Sequence, residues 1–198
     1  MVIRVFAFVS LALLGACHTV PSMKVQPSFE TSPALYERNP SDIAVLKIED
    51  GTSGLTATPY LDFMRSSIEG QLPDRSYAPL SSRAVDAALR QTKPAAGETI
   101  LARPFLERAA GQSSAEAVLA LRVDRWDEGR LMADKRVGFE FQAALVANDG
   151  ELLWSGSLSG WVKAGGSGPA PLDATLMARS CAEVALQELL SHLRRRLP

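Results

Sequence analysis

The strongest constraint on the fold is a long run of alternating apolar residues in the C-terminal third of the chain. Six apolar side chains recur at every second position, namely Val137, Phe139, Phe141, Ala143, Leu145 and Ala147. Beyond the turn Asn148-Asp149-Gly150, four more lie on one face of a second segment: Leu152, Trp154, Leu158 and Val162. Successive side chains of a strand point to opposite faces, and Asp-Gly favours the tight turn of a hairpin. The pattern predicts a long β-hairpin with one face in a core.

Further strands and helices are predicted on both sides of this hairpin. Apolar and β-branched runs predict strands over 42–48 and 117–126, with a short strand over 77–80. Helical spacing of apolar residues predicts helices over 59–72, 83–91 and 104–110. A last helix is predicted after Asp173, with an apolar stripe formed by Leu176, Cys181, Val184, Leu189 and Leu193. This order predicts a single compact α/β domain over residues 41–198, with a mixed sheet covered by helices.

The N-terminus has the pattern of a signal peptide over residues 1–16. Arg4 precedes an apolar run over 5–14, which is too short for a helix that spans a bilayer. The sequence Leu14-Gly15-Ala16-Cys17 resembles the lipobox of bacterial lipoproteins. That resemblance implies cleavage before Cys17, a diacylglycerol on its sulfur and an acylated amino group; the alternative is an ordinary secreted protein. His18, where aspartate commonly retains such proteins in the inner membrane, implies the periplasmic face of an outer membrane.

Residues 17–40 are predicted to be a lipidated cysteine followed by a flexible tether. The segment is polar and contains four prolines, Pro21, Pro27, Pro33 and Pro40. Fully extended, such a tether would reach roughly 70 Å from the membrane. Part of it can instead lie against the domain, because Phe29, Leu35 and Tyr36 are apolar enough to dock.

Composition excludes several function classes. The 198 residues have a formal net charge of −1, which argues against nucleic acid as a partner. With Cys17 acylated, Cys181 is the remaining cysteine of two, so no intramolecular disulfide is expected, and a buried, inert thiol is predicted. Two histidines leave little material for a histidine-based metal site or catalytic centre.

The candidate catalytic patterns are weak. The loop Gly165-Gly166-Ser167-Gly168 lacks the Lys-Ser/Thr pair of a phosphate-binding loop and is predicted to be a connector. Asp124, Asp127 and Glu128 would suit a cation site or an acid-base pair, but interspersed arginines favour a solvated turn. His192 is placed in the last turn of the final helix. We therefore predict no enzyme activity, no metal and no cofactor beyond the covalent lipid on Cys17.

Two features indicate binding to a partner. Tryptophan is enriched at binding hot spots, and of Trp126, Trp154 and Trp161 the last is predicted to take an interface role while the others pack in the core. The run Arg194, Arg195 and Arg196 would meet anionic lipid headgroups or an acidic partner, or would simply balance the dipole at a helix C-terminus.

A family resemblance emerges from this layout. The segments IAVLKIED, SYAPLSS, RAVDAALRQ and SSAEAVLALRVDRWDE follow the lipobox in order, and the hairpin contains DGELLWSG. The layout resembles bacterial envelope lipoproteins related to CsgG, to LpoB and to the N-terminal domain of TolB. It is most similar to a neisserial-type surface lipoprotein subgroup of unassigned role, in which AE-AVL follows a helix and GELLW follows a turn. The resemblance implies a compact α/β domain without catalytic residues and a role in an envelope assembly.

These observations lead to three functional hypotheses. The first is an outer-membrane-anchored, periplasm-facing lipoprotein that serves as accessory or scaffold of an envelope transport or secretion assembly, in a protein complex or as a homo-oligomer. The second is an activator of a peptidoglycan synthase, which a long tether would favour. The third, of another class, is an envelope hydrolase. Pore formation is not expected, because the hairpin has the pattern of half-buried strands and a tight tip.

Overall fold

The computed structural model describes residues 22–165 and 173–197. The strands within these ranges are β1 (Ser22–Thr31), β2 (Asp42–Val45), β3 (Glu49–Asp50), β4 (Ala78–Pro79), β5 (Ala117–Asp127), β6 (Arg136–Ala147) and β7 (Leu152–Lys163). The helices are α1 (Ala34–Arg38), α2 (Leu61–Gln71), α3 (Ser82–Ala88), α4 (Arg103–Gln112), α5 (Leu131–Asp134) and α6 (Ala174–Ser191). Two 3₁₀ turns, Thr58–Tyr60 and Leu72–Arg75, flank α2.

The predicted hairpin is confirmed as β6 and β7. Val137 pairs with Val162 and Phe141 with Leu158, so the alternating apolar residues of both strands share one face. Gly150 closes the turn with a φ of 89°, a left-handed value that glycine adopts without strain. Its backbone N–H donates to the carbonyl of Ala147 over 2.9 Å. The turn residues and the alternation therefore act together to set the register of the hairpin.

The sheet has mixed strand directions. Its order is β1-β7-β6-β5-β2-β4, with β3 also paired to β5. The strands from β1 to β5 in this order are antiparallel neighbours, whereas β2 runs parallel to both β5 and β4. The single α/β domain with a mixed sheet and a long hairpin is thus confirmed.

Residues 22–31 form the edge strand β1, where the sequence analysis predicts a flexible tether. The tether prediction is wrong for this segment, because the ordered domain includes residues 22–31 and does not start at residue 41. The physical reason is a second alternating pattern: Met23, Val25 and Phe29 are half-buried against the core, while the residues between them face outward. Pro27 does not interrupt the pairing, because the even-numbered residues of β1 donate to β7, as Ser32 does to Leu153.

Helices cover the two faces of the sheet unequally. On one face α2 and α6 pack against all the long strands and form the larger core cluster, which includes Met64, Phe139, Trp154 and Leu186. On the other face α3 and α4 cover β2 and β5 and form a smaller cluster, which includes Val85 and Leu106. The part of this second face formed by β1, β7 and β6 carries polar side chains instead. It lies open next to α4.

The last helix is capped as the sequence predicts, but one residue of its stripe points outward. The side chain of Asp173 accepts a hydrogen bond from the backbone N–H of Thr175, and Cys181, Leu189 and Leu193 are buried. Leu176, predicted to face the core, is 54% exposed. The core begins in the same turn, where Met177 and Ala178 are buried, and Leu176 instead lies on the helix face of the exposed residues Ser180 and Glu183.

The two ends of the sheet differ in what they carry. We call one the Ser22 end, after the residues Ser22, Lys163 and Arg136 that begin or finish β1, β7 and β6 there. The other is the Thr31 end, where β1 finishes and the hairpin turns. Ten residues of β1 separate them by about 30 Å at roughly 3.3 Å per residue. None of the helices in the described ranges has both the length and the apolar character needed to cross a bilayer.

Candidate functional site

A groove with a volume of about 1010 Å³ lies on the open part of the second sheet face. Its floor comes from side chains on three adjacent strands, namely Ser28, Glu30, Glu140, Gln142, Ser155 and Ser157. One wall is α4, which contributes Arg103 and Glu107, and the mouth is bordered by the hairpin turn. The groove exists because α4 covers β5 while no described element covers β1 and β7. It therefore presents a rigid array of hydrogen-bonding groups to the solvent.

The charges of the groove have an acidic excess. Five carboxylates line it, those of Glu30, Glu107, Glu140, Asp149 and Glu151, against two guanidinium groups. Arg38 contacts Asp149 and Glu151, each over 2.6 Å, and Arg103 contacts Glu107 over 2.8 Å. A hydrogen bond from the backbone N–H of Glu151, and then Arg38, lower the pKa of Asp149 below its usual value. Within the described ranges Glu30 and Glu140 have no ion pair, so the groove floor keeps unneutralised negative charge.

The residues considered for acid-base or metal chemistry are not brought together. Asp124 is paired with Arg122 over 2.7 Å, and Glu128 accepts a hydrogen bond from the Trp126 indole over 2.7 Å. Asp127 accepts from the backbone of Gly129 in a turn. His192 lies near the Thr31 end, stacked on Phe29 with ring centroids 4.6 Å apart. In the part of the chain that is described, no three His, Cys, Asp or Glu side chains are grouped to hold a metal ion.

The three tryptophans divide as the sequence predicts. Trp126 and Trp154 are buried, and Trp154 donates its indole N–H to the carbonyl of His192 over 3.1 Å. Trp161 lies on the open sheet face near the Ser22 end and is only partly buried. The guanidinium of Arg136 lies over its ring at 4.0 Å from the centroid. Trp161 is thus placed on a surface, but the proposed interface role stays a prediction.

The arginine run lies at the Thr31 end, beyond the end of α6. Arg194 stacks on the ring of Tyr36 at 3.9 Å, Arg195 donates to the carbonyl of Asp74 over 2.7 Å, and Arg196 donates to that of Asn39 over 3.2 Å. These contacts fasten the C-terminal segment to α1 and to the Leu72–Arg75 turn. None of the three guanidinium groups has a carboxylate partner among the described residues. The three arginines therefore hold the C-terminal segment in place and also form a patch of positive charge.

Burial and like charge act together in this arginine patch. Arg75 donates to the carbonyl of Leu193 over 2.7 Å and lines a small cavity of about 310 Å³ with Arg195. Burial, and then the charge of Arg195, lower the pKa of Arg75. Burial raises the pKa of Tyr77, whose hydroxyl donates to the carbonyl of Arg194 over 2.8 Å. Four cations are thus held together, and no acidic side chain within residues 22–165 and 173–197 pairs with them.

Of the two cysteines, Cys181 lies within the described residues and Cys17 does not. Cys181 is buried, its sulfur lies 3.8 Å from the carbonyl oxygen of Val162, and burial raises the pKa of the thiol to about 11. The prediction that this thiol is buried is confirmed. Cys17, the predicted lipid attachment site, lies outside the described residues, as do the signal peptide and most of the Gly165–Pro171 loop.

The groove is not predicted from the sequence, although some of the residues that form it follow a recognisable strand pattern. The strand β1 alternates half-buried and outward residues, but Pro27 within it, the prolines on both sides and the absence of a partner strand nearby in sequence favour a tether prediction. The outward serines of β7, Ser155, Ser157 and Ser159, are visible as the polar half of the hairpin pattern. That they line an open face depends on where α4 stops, which no local pattern encodes.

Comparisons with known proteins yield similarity of structure rather than of sequence. No protein-family model matches the chain, and no curated protein matches it. The dodecamer of a single-residue variant of PelC from Paraburkholderia phytofirmans has a TM-score of 0.50 at 16% identity, covering 88% of this chain and 100% of that chain. At this identity the likeness shows the fold.

Two further solved structures are similar at lower TM-scores. Lipoprotein GNA1162 from Neisseria meningitidis has a TM-score of 0.48 at 22% identity, over 76% of this chain and 99% of that chain. The LpoB C-terminal domain from Salmonella enterica has a TM-score of 0.40 at 19% identity, over 62% of this chain and 82% of that chain.

Proposed function

We propose that this chain is a lipid-anchored protein of a bacterial envelope, held through Cys17 at the periplasmic face of the outer membrane. There it acts as a non-enzymatic accessory or scaffold of a transport or secretion assembly. The lipobox-like sequence Leu14-Gly15-Ala16-Cys17 supports the anchor. The observation that carries the proposal is that β1 is already paired in the sheet at Ser22, five residues after Cys17.

This short connection limits how far the domain can lie from the membrane. Five residue steps span at most about 18 Å, even when the chain is fully extended. With Cys17 lipidated, the Ser22 end of the sheet is held next to the bilayer, and the Thr31 end points away from it. The groove mouth and the arginine patch at the Thr31 end are then available to other components of an assembly in the same membrane.

The same geometry argues against the two alternative functions. An activator of a peptidoglycan synthase must reach across the wall, and the ordered β1 removes most of the tether on which that hypothesis depends. An envelope hydrolase would need converging acid, base or nucleophilic groups. Instead Asp124 and Glu128 are engaged by Arg122 and Trp126, and His192 lies near the other end of the sheet.

Self-association is part of the proposal. The structure that shares the fold at a TM-score of 0.50 is a dodecamer, and this is an analogy at the level of the fold. The chain offers two surfaces of opposite charge, the acidic groove and the arginine patch, which suit contacts with partners or with other copies.

Replacing Cys17 by serine is expected to release the protein from membranes, because acyl chains contribute about 0.8 kcal/mol per buried methylene group and serine cannot carry the thioether. The measurement is membrane fractionation of cells that express the full chain. The matched control is Cys181→Ser, which changes the buried second cysteine and should leave the protein in the membrane fraction. Unchanged partitioning of the Cys17→Ser protein would refute the anchor.

The accessory role is tested by cross-linking in intact cells, followed by affinity capture and mass spectrometry. We expect transport or secretion components to be recovered, and Gln142→Arg on the groove floor to lower their recovery by about tenfold, the effect of about 1.4 kcal/mol at an interface. Gln91→Arg, at an exposed position outside the groove, is the matched control. Recovery of a peptidoglycan synthase would favour the alternative, and recovery of self-cross-links alone would contradict the accessory role.

A further inference from the structure

Exposed apolar side chains occur at both ends of the sheet. Among the described residues six large ones are exposed, and three of them, Leu55, Met132 and Leu176, belong to the Ser22 end, which is the end nearest to Cys17. They are 64%, 62% and 54% exposed. The other three, Tyr36, Leu152 and Leu197, lie at the Thr31 end, where the Arg194 guanidinium covers the Tyr36 ring. Large side chains of this kind are costly to leave in water, and when several share one end of a domain they indicate a contact surface.

Neighbouring contacts place the three residues at the same end. Leu55 precedes Thr56, whose hydroxyl donates to the carbonyl of Trp126 over 2.9 Å, close to the end of β5. Met132 belongs to α5, which connects β5 to β6 at the Ser22 end. Leu176 lies in the first turn of α6, five residues before Cys181, whose sulfur faces Val162 near the end of β7. Leu176 faces outward because it shares the helix face of the exposed residues Ser180 and Glu183.

The backbone at Leu55 supports a function for this exposure. Its φ of 52° is a left-handed value that leucine seldom adopts. The preceding residue is Gly54, which would hold such a conformation without strain. The Leu55 backbone helps to hold the loop through hydrogen bonds with Thr52 and Thr58, but its side chain is not part of either core cluster. Strain of this kind is typical of sites where a side chain has to project.

The charges at the Ser22 end are suited to contact with the anionic headgroups of a lipid bilayer. Four carboxylates at this end are held by internal donors: Glu128 by the Trp126 indole, Asp127 by Gly129, Asp173 by Thr175 and Asp134 by Arg130. Asp62, Lys24 and Lys163 are exposed and make no ion pair within the described ranges, so the cations outnumber the carboxylate among these unpaired groups. Long lysine side chains at a membrane boundary extend their ammonium groups to the headgroups.

We infer that Leu55, Met132 and Leu176 form a membrane-contacting surface that inserts into the boundary of the leaflet carrying the lipid anchor. The connection from Ser22 to Cys17 spans at most about 18 Å, so this end cannot be far from that leaflet. The occupant is therefore a lipid surface. The inference rests on the proposed function, since it requires Cys17 to be lipidated. It adds that the domain has a fixed orientation instead of swinging freely on its anchor.

The test uses full-length lipidated protein in vesicles of phosphatidylethanolamine and phosphatidylglycerol. Cysteine is introduced singly by Leu55→Cys, Met132→Cys and Leu176→Cys and labelled with a small fluorophore. Matched controls are Leu152→Cys and Leu197→Cys, which change exposed leucines at the Thr31 end. Buried Cys181 does not compete for the label at neutral pH, because its thiol has a pKa of about 11.

We expect lipids that carry a nitroxide near the headgroup to quench the three Ser22-end labels at least about threefold more than the controls, since the two ends are about 30 Å apart. Iodide dissolved in the water should quench the control labels more strongly than the three Ser22-end labels. Equal nitroxide quenching at both ends would overturn the inference. So would labels shielded from iodide but not quenched by nitroxide, which would indicate a protein partner or a second copy. Flotation with the vesicles tests the anchor separately, so a protein that floats without differential quenching refutes only the membrane-contacting surface.

Discussion

Alanine at Gly160 is expected to displace β1 from the sheet and to lower the free energy of unfolding by about 3 kcal/mol, the upper range for overpacking a closely packed site. A Cβ at this position would lie 2.2 Å from the carbonyl oxygen of Lys24 and 2.9 Å from the Cα of Val25. Both atoms belong to the backbone of β1, so no side-chain rotation can relieve the overlap. The strand itself has to move.

The same close approach occurs at Gly156, next to the most apolar residue of β1. A Cβ there would lie 2.2 Å from the carbonyl oxygen of Ser28 and 2.3 Å from Cδ1 of Phe29. Phe29 covers this glycine and stacks on Trp154, with centroids 5.1 Å apart, and on His192. An aromatic side chain opposite a glycine is a known way to stabilise a strand pair. Gly156→Ala should therefore loosen β1 in the same way as Gly160→Ala.

Gly138→Ala is the matched control for both variants. It also changes a glycine in a long strand, but its Cβ would lie 3.6 Å from the nearest side-chain carbon, an ordinary contact distance. Urea unfolding measures the free energies, and hydrogen exchange of the β1 amides reports whether the strand is lost. If Gly160→Ala unfolds at the same urea concentration as Gly138→Ala, and the β1 amides are still protected from hydrogen exchange, the proposed close packing of β1 against β7 is wrong.

Replacing Arg65 by methionine is expected to cost about 2 kcal/mol of unfolding free energy, the typical effect of leaving a buried hydrogen-bonding group without its partner. Arg65 is 6% exposed. Its Nε and Nη2 donate to the carbonyl oxygen of Val45 over 3.1 and 2.7 Å, and its Nη1 donates to Asp86 over 2.9 Å. It therefore connects α2 on one face of the sheet to α3 on the other, around the end of β2.

Methionine has a similar length and is apolar, so the loss comes from the carbonyl of Val45 and the carboxylate of Asp86, which are left without their donor. Lys47→Met is the matched control, because Lys47 contacts the same carboxylate over 3.7 Å but is 76% exposed. An exposed pair contributes little, so this variant should unfold within about 0.5 kcal/mol of the natural protein. Equal losses for the two variants in urea unfolding would show that the buried contacts of Arg65 do not stabilise the layers.

Local patterns predict the hairpin well because every signal for it is close in sequence. The alternation from Val137 to Val162 and the turn at Gly150 lie within one continuous stretch, and their pairing needs no distant partner. The cap at Asp173 is local in the same way. The edge strand β1 is different. Its partner β7 begins more than a hundred residues later, and four prolines in the segment conceal an alternation that only the neighbouring strand makes meaningful.

The same distinction between local and distant information applies to the candidate site. The sequence indicates which residues are chemically able to act, such as Trp161 and the arginines 194–196, but not what they contact. Tertiary structure shows that the arginines fasten the C-terminus to α1 and the turn at Asp74 while they keep their charge unneutralised by any described carboxylate. It also places Leu176 on the outer face of α6, because Met177 and Ala178 are the residues of that turn that face the core.

By itself, the sequence determined the α/β class, the hairpin, the capped final helix and the lipobox-like Cys17, since each depends on residues adjacent in the chain. Only the tertiary structure decided that residues 22–31 belong to the sheet, that Arg65 joins two layers and that the face of β1, β7 and β6 stays open. Each of these outcomes depends on which segments distant in sequence pack together. The pairing of β1, on which the proposed position of the domain relative to Cys17 depends, was decided in the same way.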